Sequence, residues 1–159
     1  MPLLFLGVIL AGLITLSAAN GDRDPVRAEL VSEVKSIQAG TPFTVALRLE
    51  MDHNWHTYWK NPGDTGLPTK LEWTLPPGFR AGEIQWVVPE IFELGGLINY
   101  GYKKEVLHLV DIAPPEDLSL GSRVLLSADV SWLMCEAVCI PAKATLNLVL
   151  PIGREGPDW

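Results

Sequence analysis

Apolar residues recur at every second position in several short segments of the chain. The first segment is V-R-A-E-L-V-S-E-V (26–34), and the second is T-P-F-T-V-A-L-R-L-E-M (41–51). Because successive side chains of a β-strand point to opposite faces, this alternation predicts strands with one face buried. Similar strand-like patterning appears in five further segments: 70–75, 83–88, 105–112, 123–134 and 144–152.

Turns rich in proline and glycine separate the predicted strands. Examples are N-P-G-D-T-G (61–66), L-P-P-G-F (75–79) and A-P-P-E-D (113–117), and the whole chain contains 13 Pro and 14 Gly. Both residue types disfavour helix interiors, and no segment carries a sustained apolar repeat of 3.6 residues with helix caps. Short strands with turns at regular intervals predict an all-β fold, an immunoglobulin-like antiparallel β-sandwich.

The N-terminus has the features of an export signal. Residues 1–19 form an apolar run that ends in small residues, with Ser17 and Ala19 at the positions that a signal peptidase reads. A retained membrane anchor is the alternative, but about 16 apolar residues are fewer than the roughly 20 that a spanning helix needs. We therefore predict a cleaved signal peptide at 1–19, one folded domain at 20–153, and a tail or linker start at 154–159.

The charge balance excludes some classes of partner. The formal net charge is −7, and every charged side chain lies beyond residue 19. An acidic chain without a basic cluster is repelled by nucleic acid and by anionic lipid, so neither is expected as a partner of the mature chain. No Ser-His-acid arrangement, phosphate-binding glycine loop or pair of catalytic carboxylates stands out, so a hydrolase is not predicted.

The chain has two cysteines, Cys135 and Cys139, in the segment C-E-A-V-C-I-P (135–141) between two predicted strands. A hairpin tip of this length can bring two Cα atoms to about 5.5 Å, the separation that a disulfide needs. A disulfide that closes so short a loop stabilises the fold by only roughly 2 kcal/mol. The pair is therefore a weak structural staple, although an inert disulfide is common in exported proteins.

A metal site and a redox couple are the other two interpretations of the cysteine pair. Two thiolates suit a soft ion such as Cu(I), with His53, His56 or His108 as further ligands. The spacing C-x3-C before Pro is similar to that of Sco-type copper chaperones. Those proteins have a thioredoxin-like fold and a histidine beyond the cysteines, whereas here no histidine follows His108. Neither a metal nor any other cofactor is predicted.

Four segments in order carry a resemblance to a known family. They are W-H-T-Y-W-K-N-P-G-D-T-G-L-P-T (55–69), I-Q-W-V-V-P (84–89), N-Y-G-Y-K-K-E-V-L (99–107) and W-L-M-C-E-A-V-C-I-P (132–141). Together they resemble the N-terminal periplasmic domain of the thiol:disulfide interchange protein DsbD and its ScsB-like relatives. The resemblance implies a periplasmic protein-disulfide reductase component that takes electrons from a membrane redox domain. It would pass them to thioredoxin-fold proteins, namely disulfide isomerases and cytochrome c maturation partners.

The same resemblance implies roles for individual residues. Cys135 and Cys139 would be the redox couple, with Cys139 as the sulfur that exchanges with partners and Cys135 as the resolving sulfur. A flexible cap loop at about 95–101 would shield them, through Gly95, Gly96, Asn99, Tyr100 and Gly101. The paired glycines would be the hinge of this loop, because glycine accepts the φ changes that a hinge requires.

Aromatic residues are dense in the segment 53–59, which precedes the turn signal at 61–66. We interpret the segment as a loop that packs over the sandwich edge with its own aromatic side chains. A partner could also bind there, and the predicted contacts are Tyr58, Trp59 and Tyr102. Tryptophans in the predicted strands are expected in the core: Trp73, Trp86 and Trp132. A non-catalytic β-sandwich interaction domain with an inert disulfide is the main alternative function.

Overall fold

The computed structural model describes residues 24–154, so the predicted signal peptide and residues 155–159 of the predicted tail lie outside the described part. The described chain is all-β and forms two antiparallel sheets that pack as a sandwich, as predicted. Within residues 24–154 no helix is long and apolar enough to cross a membrane. The strands are β1 (Val26–Ser32), β2 (Phe43–Met51), β3 (His56–Gly63), β4 (Lys70–Thr74), β5 (Arg80–Ala81), β6 (Glu90–Leu94), β7 (Leu97–Lys103), β8 (Glu105–Ala113), β9 (Arg123–Cys135) and β10 (Cys139–Pro151).

The first sheet has the strand order β1-β2-β8-β5. Its central strand β2 pairs with β1 and β8 on its two sides, and Leu47 lies opposite both Leu30 and His108. The alternation in β2 sends Val45, Leu47 and Leu49 into the core, where each is fully buried. The period-2 pattern of the sequence thus fixes which face of this sheet meets the other.

The second sheet has the order β10-β9-β3-β7-β6, and β4 also pairs with β9. Strand β9 pairs with β10 along its whole length on one side. On its other side β9 pairs with β4 at 127–131 and with β3 only at Cys135, which lies opposite His56. The end of β9 therefore brings the first cysteine against β3.

The hydrophobic core lies between the two sheets and includes Trp132, which is 6% exposed. Trp73 and Trp86 are half-buried and pack against this core, as predicted for strand tryptophans. Trp86 does so from outside the named strands, with its ring 4.9 Å from that of His108. Burial of such large rings contributes strongly to the stability of a domain of this size.

Three segments differ from the sequence prediction. Residues 56–63, predicted as a loop, form β3, in which three consecutive residues (His56, Thr57 and Tyr58) are buried, so the segment shows no period-2 pattern. Residues 83–88, predicted as a strand, make a single isolated bridge at Gln85, and the sheet edge is formed instead by the short β5. Residues 95–101, predicted as a loop, form a hairpin turn and most of β7.

Candidate functional site

The two cysteines form a disulfide at the tip of the β9–β10 hairpin. Cys135 and Cys139 are directly opposite each other in the register, and their Cα atoms are 4.1 Å apart. Within the tip, the Glu136 N–H donates a hydrogen bond of 3.1 Å to the Val138 carbonyl. The predicted location of the pair at a hairpin tip is therefore confirmed.

The two sulfur-bearing residues differ in exposure. Cys135 is 1% exposed and lies at the end of β9, between its pairing partners Cys139 of β10 and His56 of β3. Cys139 is exposed, and so are the two apolar residues that flank it, Val138 at 64% and Ile140 at 40%. Of the two cysteines of the disulfide, only Cys139 is thus at the surface of the described part of the chain.

Strand β3 places two polar aromatic side chains next to the disulfide. The Tyr58 hydroxyl oxygen is 3.8 Å from Cys139 Sγ, and His56 Nε2 is 3.3 Å from that oxygen. His56 and Tyr58 are two residues apart in a strand, so they share one face of the sheet. His56 also lies opposite Lys103 of β7 as well as Cys135 of β9.

Burial decides the protonation of both aromatic groups. Burial lowers the pKa of His56, the positive charge of Lys103 lowers it further, and a hydrogen bond with the Asn54 backbone opposes both effects. Burial raises the pKa of Tyr58, and a hydrogen bond with the Thr65 side chain opposes this. At neutral pH the imidazole and the phenol next to the disulfide are therefore both uncharged.

Phe92 of β6 packs over this pair of side chains. It is 8% exposed, and its ring centroid is 4.7 Å from that of His56 and 6.5 Å from that of Tyr58. The Lys103 ammonium lies 4.9 Å from the centroid of the Phe92 ring. The sequence analysis missed Phe92, because the segment E-I-F-E-L does not show by itself which residues Phe92 packs against.

The loop 64–69, which joins β3 to β4, lies across the ring of Tyr58. Gly66 has φ +97° and faces that ring so closely that a Cβ at this position would collide with it. Asn99, which is fully buried, holds the loop in place: its Oδ1 accepts hydrogen bonds from Thr65 N at 3.1 Å and Thr65 Oγ1 at 2.7 Å. We call this arrangement of Thr65, Gly66 and Asn99 the clasp.

A second connection ties the same loop to β7. The Ile98 N–H donates to Asp64 Oδ2 at 2.8 Å, and the Asp64 N–H donates to the Ile98 carbonyl at 2.9 Å. The turn signal at 61–66 is thus anchored by a neighbouring strand, and Tyr58 is held in one position by both connections.

The predicted cap residues lie in a hairpin turn and a strand rather than in a loop. Gly95 and Gly96 have φ +61° and +83° at the two-residue turn between β6 and β7, where added Cβ atoms would meet nothing within 4 Å. Such positive φ angles are typical of a type I′ hairpin turn. Tyr100 is half-buried, with its ring centroid 6.3 Å from that of Trp59. Residues 97–101 thus lie in a strand that pairs with both β3 and β6, and the flexibility and shielding role of this segment stay predictions.

The predicted partner contacts also differ in position. Tyr102 is 4% exposed, donates a hydrogen bond of 2.8 Å to the Val87 carbonyl and belongs to the core, so it offers no surface to a partner. Tyr58 is 1% exposed and contacts Cys139 instead. Trp59 is half-buried, with the Lys60 ammonium 5.3 Å from its ring centroid.

The three histidines considered as metal ligands lie in different environments. His56 is beside the disulfide, His53 is exposed, and His108 is fully buried against Trp86 and Tyr102. Among residues 24–154 no group of three or more His, Cys, Asp or Glu side chains could hold a metal ion.

Comparison with known proteins gives matches at the level of family and fold. A family model described as "Thiol:disulfide interchange protein DsbD, N-terminal" matches residues 23–151. The comparison with curated protein sequences finds no match. Among solved structures, the N-terminal periplasmic domain of ScsB from Proteus mirabilis is 23% identical with a TM-score of 0.59, over 80% of this chain and 47% of that chain. The chain thus spans about half the length of the ScsB domain.

A second solved structure has a lower similarity. BcpA, the major pilin subunit of Bacillus cereus, is 12% identical with a TM-score of 0.43, over 80% of this chain and 39% of that chain.

Proposed function

Because the chain belongs to the family of N-terminal domains of the thiol:disulfide interchange protein DsbD, we propose that it exchanges disulfides with thioredoxin-fold proteins through Cys135 and Cys139. The observation that carries the proposal is the asymmetry of the pair, one residue buried beside β3 and the other exposed at the hairpin tip. An exchanging couple needs one sulfur that a partner can reach and one that closes the bond behind it.

The proposed reaction has two steps in each direction. When the domain is reduced, the Cys139 thiolate attacks a sulfur of the partner disulfide, an S–S bond forms between the proteins, and the other partner sulfur leaves as a thiolate. The Cys135 thiolate then attacks Cys139 Sγ, which restores the disulfide and releases the partner. Two electrons and two protons pass to the partner, and the reverse sequence reduces the domain.

The resemblance to the family supports the choice of partners. We propose that the donor is a membrane redox domain and that the acceptors are periplasmic thioredoxin-fold proteins, such as disulfide isomerases and cytochrome c maturation proteins. The exposed side chains of Val138 and Ile140 support docking next to Cys139, because apolar contacts at the centre of an interface contribute much of the binding energy. The predicted signal peptide is consistent with export to the periplasm.

Matched single-cysteine variants test the proposal. Cys135→Ser leaves the exposed sulfur free. We expect it to form a stable mixed disulfide with a thioredoxin-fold protein whose second active-site cysteine is replaced by serine and whose remaining cysteine carries a small thiol leaving group, because neither chain then holds a thiol that resolves the complex. Cys139→Ser leaves the buried sulfur instead, and we expect little complex. Non-reducing electrophoresis and intact mass would measure the trapped fraction.

Equal trapping by the two variants, or none by either, would contradict the proposal. The reduction potential of the native disulfide distinguishes the proposed exchange function from the alternative of an inert structural disulfide. A potential below about −300 mV would mark a structural disulfide, whereas a potential in the range of exchanging thioredoxin-fold proteins would support exchange.

A further inference from the structure

Three side chains lie in a row at the disulfide. His56 Nε2 is 3.3 Å from the Tyr58 hydroxyl oxygen, and that oxygen is 3.8 Å from Cys139 Sγ. We propose, on the basis of the exchange function above, that Tyr58 accepts the proton of the reduced Cys139 thiol while passing its own proton to His56. Tyr58 touches the reacting sulfur and is a catalytic residue, whereas His56 acts through Tyr58 and is a positioning residue.

The hydrogen bonds around His56 set the direction of this relay. The imidazole has a hydrogen bond with the Asn54 backbone, of the kind that stabilises its protonated form. Since Nε2 faces Tyr58, the relay requires Nδ1 to be the nitrogen that carries the ring hydrogen and donates to the Asn54 backbone. In the neutral ring Nε2 then carries a lone pair and accepts the Tyr58 proton. The Tyr58 oxygen is left with lone pairs for the thiol hydrogen of Cys139.

The surroundings exclude water from the inner part of the relay. His56 is 2% exposed and Tyr58 is 1% exposed, under the ring of Phe92. The ionisable groups that face His56 are Lys103 on β7, Cys135 on β9 and Tyr58 on its own strand. Thr65 has a side-chain hydrogen bond with Tyr58 and also donates its hydroxyl proton to Asn99. The Thr65 hydroxyl is not a base, whereas the His56 imidazole is a base within hydrogen-bond reach of the Tyr58 hydroxyl, so in the relay the Tyr58 proton passes to His56.

The relative pKa values of the thiol and of His56 make this proton transfer transient. An ordinary thiol has a pKa near 8.5, and that of His56 is lowered below its usual value near 6.5. The imidazole is thus neutral and ready to accept at neutral pH, but it does not hold the thiol permanently ionised. The relay acts as general base catalysis, in which the proton moves as the sulfur attacks.

The step balances in atoms and charge. The Cys139 S–H proton moves to the Tyr58 oxygen, and the Tyr58 O–H proton moves to His56 Nε2, giving an imidazolium. The Cys139 electron pair forms the bond to one sulfur of the partner disulfide, and the other partner sulfur leaves with the electron pair of the broken S–S bond. The imidazolium then returns the proton through Tyr58 to a leaving thiolate or to water.

A kinetic test uses a small neutral disulfide, so that no partner docking is involved. In the Cys135→Ser chain, the rate of Cys139 with hydroxyethyl disulfide is measured from about pH 5 to pH 10, with the thiol pKa followed by thiolate absorbance. We expect Tyr58→Phe and His56→Leu to react at least about tenfold more slowly near pH 7. At about pH 10 the thiol is already ionised, and the rates are expected to match.

The shape of the pH profile separates catalysis from a structural effect. With the relay intact, at pH values between the pKa of His56 and the pKa of the thiol, the reaction is expected to be faster than the thiolate fraction alone predicts. In the two relay variants the rate follows that fraction. His53→Gln is the matched control, since His53 is exposed outside the relay, and its profile is expected to be unchanged.

Two outcomes would overturn the relay: variants that are as fast as the parent near pH 7, or variants that are slower by the same factor at every pH. Neither outcome bears on the exchange function, which is judged by the partner-trapping experiment. Conversely, a relay profile in a chain that traps no thioredoxin-fold partner would sustain the relay and reject the proposed function.

Discussion

At Gly101, β7 passes so close to β3 that a side chain has no room. A Cβ built there would collide with the Thr57 carbonyl oxygen, although the position does not have a positive φ. The glycine is required by the distance between two paired strands rather than by its own conformation. This close approach lets β7 pair with the strand that carries His56 and Tyr58.

We expect Gly101→Ala to lower the free energy of unfolding by about 1–3 kcal/mol, because either the two strands must separate or the Thr57 peptide must move. Urea unfolding followed by tryptophan fluorescence would measure the loss. Gly82→Ala is the matched control: its Cβ would meet only the Asp111 carbonyl, at 3.5 Å, an ordinary contact. A loss of similar size in the two variants would contradict the steric explanation.

At the scale of elements, the loop 64–69 and β7 depend on each other. Asn99 of β7 accepts two hydrogen bonds from Thr65, and Asp64 accepts one from Ile98. The loop connects β3 to β4, so the clasp joins the strand next to the disulfide to β7 of the neighbouring hairpin. Loops that are held by side-chain hydrogen bonds open less often than free loops.

We expect Asn99→Ala to lower the free energy of unfolding by about 1–3 kcal/mol and to increase hydrogen exchange at the Thr65 amide, which loses its acceptor. Thr65→Val removes only the hydroxyl bond and leaves the backbone bond in place. Its effect is expected to be smaller, with protection of the amide retained. Unchanged exchange in Asn99→Ala would show that the clasp does not hold the loop.

At the scale of the whole molecule, one buried histidine links stability to pH. His108 lies in the core between the rings of Trp86 and Tyr102, and burial lowers its pKa to about 4. Among the described residues, neither of its ring nitrogens has a hydrogen-bond partner. Unfolding restores the ordinary pKa near 6.5, so the unfolded chain binds a proton that the folded chain resists.

The direction of the pH dependence of stability follows from this difference in pKa. Above about pH 6.5 the histidine is neutral in both states, and its titration costs nothing. As the pH falls from 6.5 to 4, we expect the molecule to lose about 3 kcal/mol through this group. Below about pH 4 both states are protonated, and the loss through His108 levels off.

His108→Leu tests this linkage by urea unfolding at several pH values. The change in packing contributes equally at every pH. The way in which the stability difference between the variant and the native chain changes with pH therefore isolates the titration of His108. We expect that difference to shift in favour of the variant as the pH falls from 6.5 to 4. A difference that stays constant over this range would exclude His108 as the source.

The strands that the sequence predicts best are those with one buried face. The predicted segments 105–112 and 123–134 correspond to β8 and β9 within one residue at each end. The sequence analysis missed strands β3, β6 and β7, because contacts with other strands decide which of their residues are buried. In β3, three consecutive residues are buried between β7, β9 and Met51.

The sequence by itself determined the all-β class, the hairpin that carries Cys135 and Cys139, and, through the resemblance, the family. These features depend on neighbouring residues and on ordered motifs, which a single chain displays directly. Only the tertiary structure decided which sulfur is buried and that His56, Tyr58 and Phe92 meet at the disulfide. Two of those contacts join residues that are far apart in the chain: Phe92 is 36 positions from His56, and Cys139 is 81 positions from Tyr58. Sheet pairing fixes such distances, and no local pattern encodes them.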